Sequence, residues 1–305
     1  MKKKILNFTV KVVVSAIFII WLILKINWRE SLGYLEKVEW WQIIFYVLVI
    51  LLGMSISAKK WQRLAIFKGF KIPFIDFFKL YLTGAFINNF VPSTIGGDIF
   101  RAYQIGKMEG KYSEATSTVV MDRFTGLLAL MLMFPFFSLL NFRSVLKSYP
   151  LLITNLLIIL ALLAVLFIIK ARKTEWMKKI IEFFPDKIKI FLRDLGSFER
   201  DRKMLFITMA YSLLFNLIGV GVANLILFWS LNININLLDY FSVIFIISIL
   251  SSIPAGIGLK EWSYVTFFGF FGINISAVFI VAILNRFFQG LVNVAALPIY
   301  LKSQK

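Results

Sequence analysis

The sequence predicts an all-α polytopic membrane protein with about six full transmembrane helices and two re-entrant hairpins, arranged as two repeats of inverted topology. Three observations carry this. First, of 305 residues 60% are hydrophobic and only 16% charged, with mean hydropathy +0.83. Soluble domains are nearer about 45–50% apolar and 25% charged. A water-soluble chain of this size cannot hide so much apolar surface, so lipid is the solvent for much of it. Second, the apolar residues fall into runs of span length separated by basic clusters. Third, two of the runs end in Pro–Gly breaks followed by an acid, and the two breaks match in spacing.

The first expected span, residues 8–26, follows Met1-Lys2-Lys3-Lys4. A signal peptide also opens on basic residues, but this run is long enough to cross and no small-residue cleavage site follows. The next span is 41–58. Behind it, Lys59, Lys60, Arg63, Lys68 and Lys71 occur with no acid between them, which predicts a cytoplasmic loop. Further runs cover 74–91, 119–140, 151–169, 204–229, 237–253 and 277–301. The segment 170–203 holds eleven Lys/Arg against six acids and is a second cytoplasmic anchor. Within it, Met177, Ile180, Ile181, Phe184, Ile188, Phe191, Leu192 and Leu195 follow helical spacing. That stripe suits a helix on the inner membrane surface or one packed on the protein itself.

The two anchors force a re-entrant element. Residues 71 and 170 both lie inside, yet three apolar runs separate them. The run 74–91 ends in Val91-Pro92-Ser93-Thr94-Ile95-Gly96-Gly97-Asp98, where Pro and paired Gly break a helix. Residues 74–110 therefore read as a hairpin opening to the cytoplasm, its freed backbone groups buried in protein or lining a polar cavity.

The same pattern recurs. Pro92 is followed four residues later by Gly96, then Gly97 and Asp98; Pro254 is followed by Gly256, four residues later by Gly258, and then by Glu261. Asp122-Arg123-Phe124 resembles Asn285-Arg286-Phe287, 31 residues after Pro92 to Arg123 and 32 after Pro254 to Arg286. The second hairpin, 237–270, then opens outside. The membrane repeats are 1–169, whose last span opens the second half, and 204–305, joined by the basic segment 170–203. Both termini are expected in the cytoplasm.

The composition excludes much chemistry. With no His and no Cys, imidazole acid–base catalysis, thiol nucleophiles, disulfides and Cys/His metal sites are absent. No cofactor is called for. The net charge of +18 follows from basic cytoplasmic loops or from contact with anionic lipid, not from nucleic-acid binding. Six ionisable residues lie in or beside the breaks: Asp98, Arg101, Asp122, Arg123, Glu261 and Arg286. A charge at membrane depth costs at least about 2.5–3.5 kcal/mol and persists when paired or facing a polar cavity. Arg286 lies well inside an apolar run. Asp122 and Arg123 also suit an interfacial position. Asp98 and Glu261 follow helix breaks, where an acid caps exposed N–H groups or serves a site. Helix N-termini and arginines hold phosphate, and Asn88 and Asn89 add polar groups before the first break. Lys260 is a weaker candidate, and Asp76 and Lys79 read as interfacial.

At these motifs the chain resembles the lysylphosphatidylglycerol synthase transmembrane-region family, also called flippase-like integral membrane proteins. The matching stretches are 89–101 (Asn-Phe-Val-Pro-Ser-Thr-Ile-Gly-Gly-Asp-Ile-Phe-Arg), 122–126 (Asp-Arg-Phe-Thr-Gly) and 253–261 (Ile-Pro-Ala-Gly-Ile-Gly-Leu-Lys-Glu). The resemblance implies a role in moving a polar lipid across the cytoplasmic membrane, either a phospholipid such as aminoacyl-phosphatidylglycerol or a polyprenyl-linked lipid. Bifunctional relatives add a soluble aminoacyl-transfer domain. The chain ends just after its last expected span, so the expectation is a non-enzymatic protein whose partners are anionic or phosphate-bearing lipids and, on one reading, a separate lipid-modifying synthase. Two alternatives stay open: an intramembrane enzyme acting on a lipid phosphate through Asp98, Asp122 or Glu261, and a scaffold for a synthase.

Overall fold

The computed structural model describes residues 20–22, 24–90, 95–171, 201–253 and 258–303, with isolated positions at 174, 185, 189 and 196–198. Residues 8–19 of the first expected span, the break residues Pro92, Pro254 and Gly256, and nearly all of the 177–195 stripe lie outside the described residues.

Among the described residues every regular element is helical. A short helix, α1 (Trp28–Leu35), starts where Asn27 accepts from the Glu30 N–H. The long helix α2 (Trp40–Phe67) opens on a capping box between Glu39 and Gln42. The pair α3 (Phe74–Phe90) and α4 (Gly96–Glu109) follows, then α5 (Tyr112–Leu140) and α6 (Tyr149–Ala171). In the second half α7 covers Arg202–Ser230 and contains a π-helical stretch at Asn216–Val222. The pair α8 (Leu237–Ser251) and α9 (Leu259–Gly269) precedes α10 (Ile275–Val294) and α11 (Leu297–Ser303). Asp201, Asn236 and Asn274 cap α7, α8 and α10 through their side chains. These are polar ends on apolar helices, as expected where helices meet water.

Five of these segments are long and apolar enough to cross a membrane: Trp40–Phe67, Tyr112–Leu140, Tyr149–Ala171, Arg202–Ser230 and Ile275–Leu301. They extend the expected spans 41–58, 119–140, 151–169, 204–229 and 277–301. Two differences have clear causes. The stretch expected as a loop after residue 58 is helical to Phe67, since Ala, Lys, Gln, Arg and Leu there favour helix and no breaker intervenes before Gly69, where φ is +82°. The last expected span is divided at Ala295–Ala296, because Pro298 lacks the N–H that a continuous helix needs.

The helices of the two pairs are shorter. At 1.5 Å per residue, α3 is about 26 Å long, α4 about 21 Å, α8 about 22 Å and α9 about 17 Å, each below the roughly 30 Å of a bilayer core. Glycines set how closely they pack. A Cβ on Gly97 of α4 would lie 2.0 Å from the Gly84 carbonyl oxygen of α3, so those backbones touch. Likewise a Cβ on Gly53 of α2 would lie 2.8 Å from the Gly219 Cα, where α2 crosses α7 at its π-helical turn. Small residues at a crossing replace the hydrophobic drive that lipid does not supply. The largest buried cluster joins α2, α5, α8, α9 and α10 through residues such as Tyr46, Phe134, Phe245, Phe268 and Val281. By contrast, α6 exposes most of its leucines and isoleucines, which suits a lipid-facing helix.

Candidate functional site

The site begins with one buried carboxylate. Asp122 lies eleven residues into α5, too far along for a helix end, and is 4% exposed. Lys60, in the last third of α2 and 2% exposed, sits 2.9 Å from Asp122 Oδ1. The same ammonium donates to the Asp122 main-chain carbonyl at 2.9 Å and to Ser212 Oγ of α7 at 3.2 Å. Arg101 of α4 approaches the other carboxylate oxygen at 3.4 Å. Its guanidinium lies against the rings of Trp61 and Tyr81, at 4.8 and 4.9 Å, a placement that offsets part of the cost of burying it.

Asp98, in the first turn of α4, links this core to a second arginine. It accepts from Arg101 at 2.7 Å and from Arg123 Nε and Nη2 at 2.7 and 2.8 Å. The Arg123 contact is bidentate, and its side chain is 53% exposed. Asn88 Oδ1 of α3 accepts from the Gly97 N–H at 2.8 Å and so caps α4 across the break.

The second half repeats the outer pair. Glu261 in the first turn of α9 accepts from Arg286 Nε and Nη2 at 2.6 and 3.1 Å. Both acid–arginine pairs span 25 residues. Glu261 also accepts from the Gly258 N–H at 3.1 Å, and Gly258 has φ +104°, a conformation that excludes a side chain at low cost. The inner partners differ. Where the first half has Lys60, Arg101 and Asp122, the second has Asn224, Tyr264 and Asn285, joined by neutral hydrogen bonds of 2.7 Å (Asn285 to Asn224) and 2.6 Å (Tyr264 to Asn224). Lys260 donates to Asn285 Oδ1.

A cavity of about 260 Å³ lies between the halves. Asn88, Asn89, Asp98, Arg101 and Arg123 line it from one half, and Phe215, Gly219, Gln289 and Asn293 from the other. Asn293 donates to Asn89 at 3.3 Å, and its Oδ1 is a buried acceptor without a partner. The π-helical turn of α7 forms part of the wall; such turns often occur at functional sites.

Several consequences follow for chemistry. Each acid is engaged by cations, so none is poised as a base. No group of three or more acids that would hold a metal occurs among the described residues. The first cluster has three cations (Lys60, Arg101, Arg123) to two acids (Asp98, Asp122), and the second has two (Lys260, Arg286) to one (Glu261). Each therefore carries one more cationic side chain than acid. Among the described residues, neither outer arginine makes a hydrogen bond through Nη1. Excess cationic donors beside a polar cavity suit an anion.

The structure brings Asp98, Arg101, Asp122 and Arg123 into one network and places Asn88 and Asn89 on its cavity. Glu261 and Arg286 form the separate second pair. Of the break residues, Gly96 and Gly97 open α4 and Gly258 precedes α9. An interfacial position at the head of a span does not describe Asp122, which is interior to α5. Sequence reasoning missed Lys60, hidden among the basic residues of an expected loop, although it falls seven residues after Gly53 and so on the same helix face. It also missed Tyr81, Asn224, Tyr264, Gln289 and Asn293, which are neutral and lie outside the helix breaks.

Residues 8–296 match the family described as the lysylphosphatidylglycerol synthase TM region. The chain belongs to this family. The match covers both helix pairs and both acid–arginine pairs. The chain is also 26% identical over 310 residues to the UPF0104 membrane protein MJ1595 of Methanocaldococcus jannaschii, covering 94% of this chain and 91% of the relative. The protein is thus a multi-pass membrane protein.

Proposed function

We propose that this protein is a non-enzymatic lipid flippase or transporter, moving a polar lipid with a phosphate-bearing headgroup across the cell membrane. The cavity between the halves carries the reading: it is lined by Arg101 and Arg123 and by carboxamides, beside clusters with more cations than acids. A phosphate supplies the missing negative charge. The unpartnered Asn293 oxygen suits a headgroup that also offers a hydrogen-bond donor, such as a hydroxyl or ammonium. On this reading α3–α4 and α8–α9 are re-entrant hairpins entering from opposite faces, the two halves are inverted repeats, and the N-terminus, residues 59–71, residues 170–203 and the C-terminus face the cytoplasm. Residues 8–26 supply a sixth span. Headgroups pass between the halves while chains stay in bilayer.

The test is reconstitution in liposomes with labelled lipids of several headgroups. A charge-assisted contact is worth about 1.5–3 kcal/mol, so Arg286→Gln should slow redistribution by roughly tenfold or more. Loss of the arginine also strands a buried carboxylate. The control is therefore Glu261→Gln with Arg286→Gln, which should regain stability and stay inactive. A double variant that regains transport makes the pair structural only. Chemically altered lipid in the wild-type assay would indicate an enzyme, Arg286→Gln moving every lipid at the native rate would refute the phosphate role at that position, and Arg123→Gln doing so would refute it at the cavity.

A further inference from the structure

A second concavity, of about 460 Å³, also meets the Asp98–Arg123 pair. It runs between α4 and α5, and its walls are mainly Ile99, Ala102, Tyr103, Tyr112, Val119 and Val120. Ile99 and Val120 are exposed, and the Tyr103 and Tyr112 rings lie 6.0 Å apart. Thr116 satisfies its own hydroxyl on the Tyr112 carbonyl at 2.8 Å, so it adds little polarity. Asp98 and Arg123 line both concavities. An apolar trough and a polar chamber therefore share one ion pair as their common wall.

We infer that this groove is a lipid-binding site in which one hydrocarbon chain lies against Ile99, Val119 and Val120 while the lipid phosphate meets Arg123. The inference rests on the transport reading and adds where the lipid is held. Two observations select this occupant. Arg123 bonds Asp98 through Nε and Nη2, makes no Nη1 hydrogen bond with the described residues, and lines the groove, which complements a phosphate. The other walls are mainly apolar, which matches a molecule that is charged at one end and apolar along the rest. A soluble anion would use the arginine but not the groove. A peptide would bring backbone groups that these walls leave unsatisfied.

The experiment uses the purified full-length chain in vesicles of phosphatidylethanolamine and phosphatidylglycerol, with phosphatidylglycerol bearing a diazirine in one acyl chain. Photolysis followed by peptide mass spectrometry should place adducts on α4 and α5 between residues 99 and 120. Val120→Trp fills the groove and should lower adduct yield by about tenfold, an affinity change of roughly 1.4 kcal/mol. Val120→Ile, a modest enlargement, should stay near wild type and controls for folding. Protection of the Arg123 region by glycerol phosphate in a hydrogen-exchange measurement should be equal in wild type and Val120→Trp. Adducts elsewhere, or an unchanged yield in a folded Val120→Trp, overturn the groove while leaving transport standing. Groove adducts without any redistribution of lipid would instead remove the transport reading and keep the site.

Discussion

Replacing Lys60 with Asn removes the partner of a carboxylate that has little access to water. Lys60 and Asp122 are both almost fully buried, 2.9 Å apart, and the lysine also ties Ser212 of α7 to the Asp122 carbonyl. After the change Asp122 keeps only the longer approach of Arg101 at 3.4 Å. Breaking one side of a buried pair costs about 3–5 kcal/mol. For a chain of 305 residues that is a fall in thermal midpoint of roughly 5–8 °C. The assay is heating in detergent followed by size-exclusion chromatography of the surviving monodisperse fraction. The double variant Lys60→Asn with Asp122→Asn should recover at least half the loss, because two carboxamides can bond as Asn224 and Asn285 do. A single variant with the wild-type midpoint would refute a structural ion pair. A double variant no better than the single would refute the coupling between the two residues.

Gly97→Ala should wedge α3 from α4, since its Cβ would start 2.0 Å from the Gly84 carbonyl. Overpacking of this kind costs about 1–3 kcal/mol, and a midpoint equal to wild type in the same heating assay would contradict the close approach. A pH effect is expected at the base of the first helix pair. The Lys71 main-chain N–H, at 2.7 Å, and then Lys111, at 3.0 Å, hold the Glu109 carboxyl below its ordinary range. A depressed folded-state value means stabilisation that is full above the unfolded value and lost as pH falls through the folded one. Acidification below the ordinary carboxylate range should therefore lower the midpoint more in wild type than in Glu109→Gln, and equal slopes would remove Glu109 from the account.

Hydropathy and breakers were enough to place the apolar helices, because a long apolar run in lipid has one satisfactory backbone solution. The near-equal spacing from each Pro break to its arginine was also readable, but the pairing was not: the structure joins Asp98 to Arg123 and Glu261 to Arg286 as bidentate pairs of equal separation. Where helices end was less legible. The run of apolar residues in α2 stops near Ala58, but the helix continues to Phe67, since lysine and arginine are good helix formers and charge does not end a helix. That error concealed Lys60. Positive charge near a membrane ordinarily marks a loop, and nothing local separates Lys60, which is buried, from Lys59, which bonds Gln62 nearby. Only packing against Asp122 and Ser212 does so. Asn285 was legible only through the motif it shares with Asp122, whereas Asn224 and Tyr264 were illegible: each is a single neutral residue in a long apolar run, with no charge or breaker to single it out.

The two halves provide a comparison within one chain. Asp98, Arg101, Asp122 and Arg123 stand 163 residues before Glu261, Tyr264, Asn285 and Arg286, and Lys60 stands 164 before Asn224. The outer pair keeps its charge in both halves, whereas the inner group is ionic in one and carboxamide and phenol in the other. Buried ions often stabilise no better than neutral replacements of similar size. The second half shows that neutral groups hold helices in this relationship, so packing alone does not require Lys60, Arg101 and Asp122 to be charged. On the transport reading their charge is retained for the headgroup, which the cavity brings against Arg101 and Arg123. The Lys60→Asn, Asp122→Asn chain should then separate the two demands: stable on heating, yet slow to move a phosphate-bearing lipid. If it transports at the native rate, the inner charges serve neither packing nor substrate, and the excess of cations at the cavity loses its role.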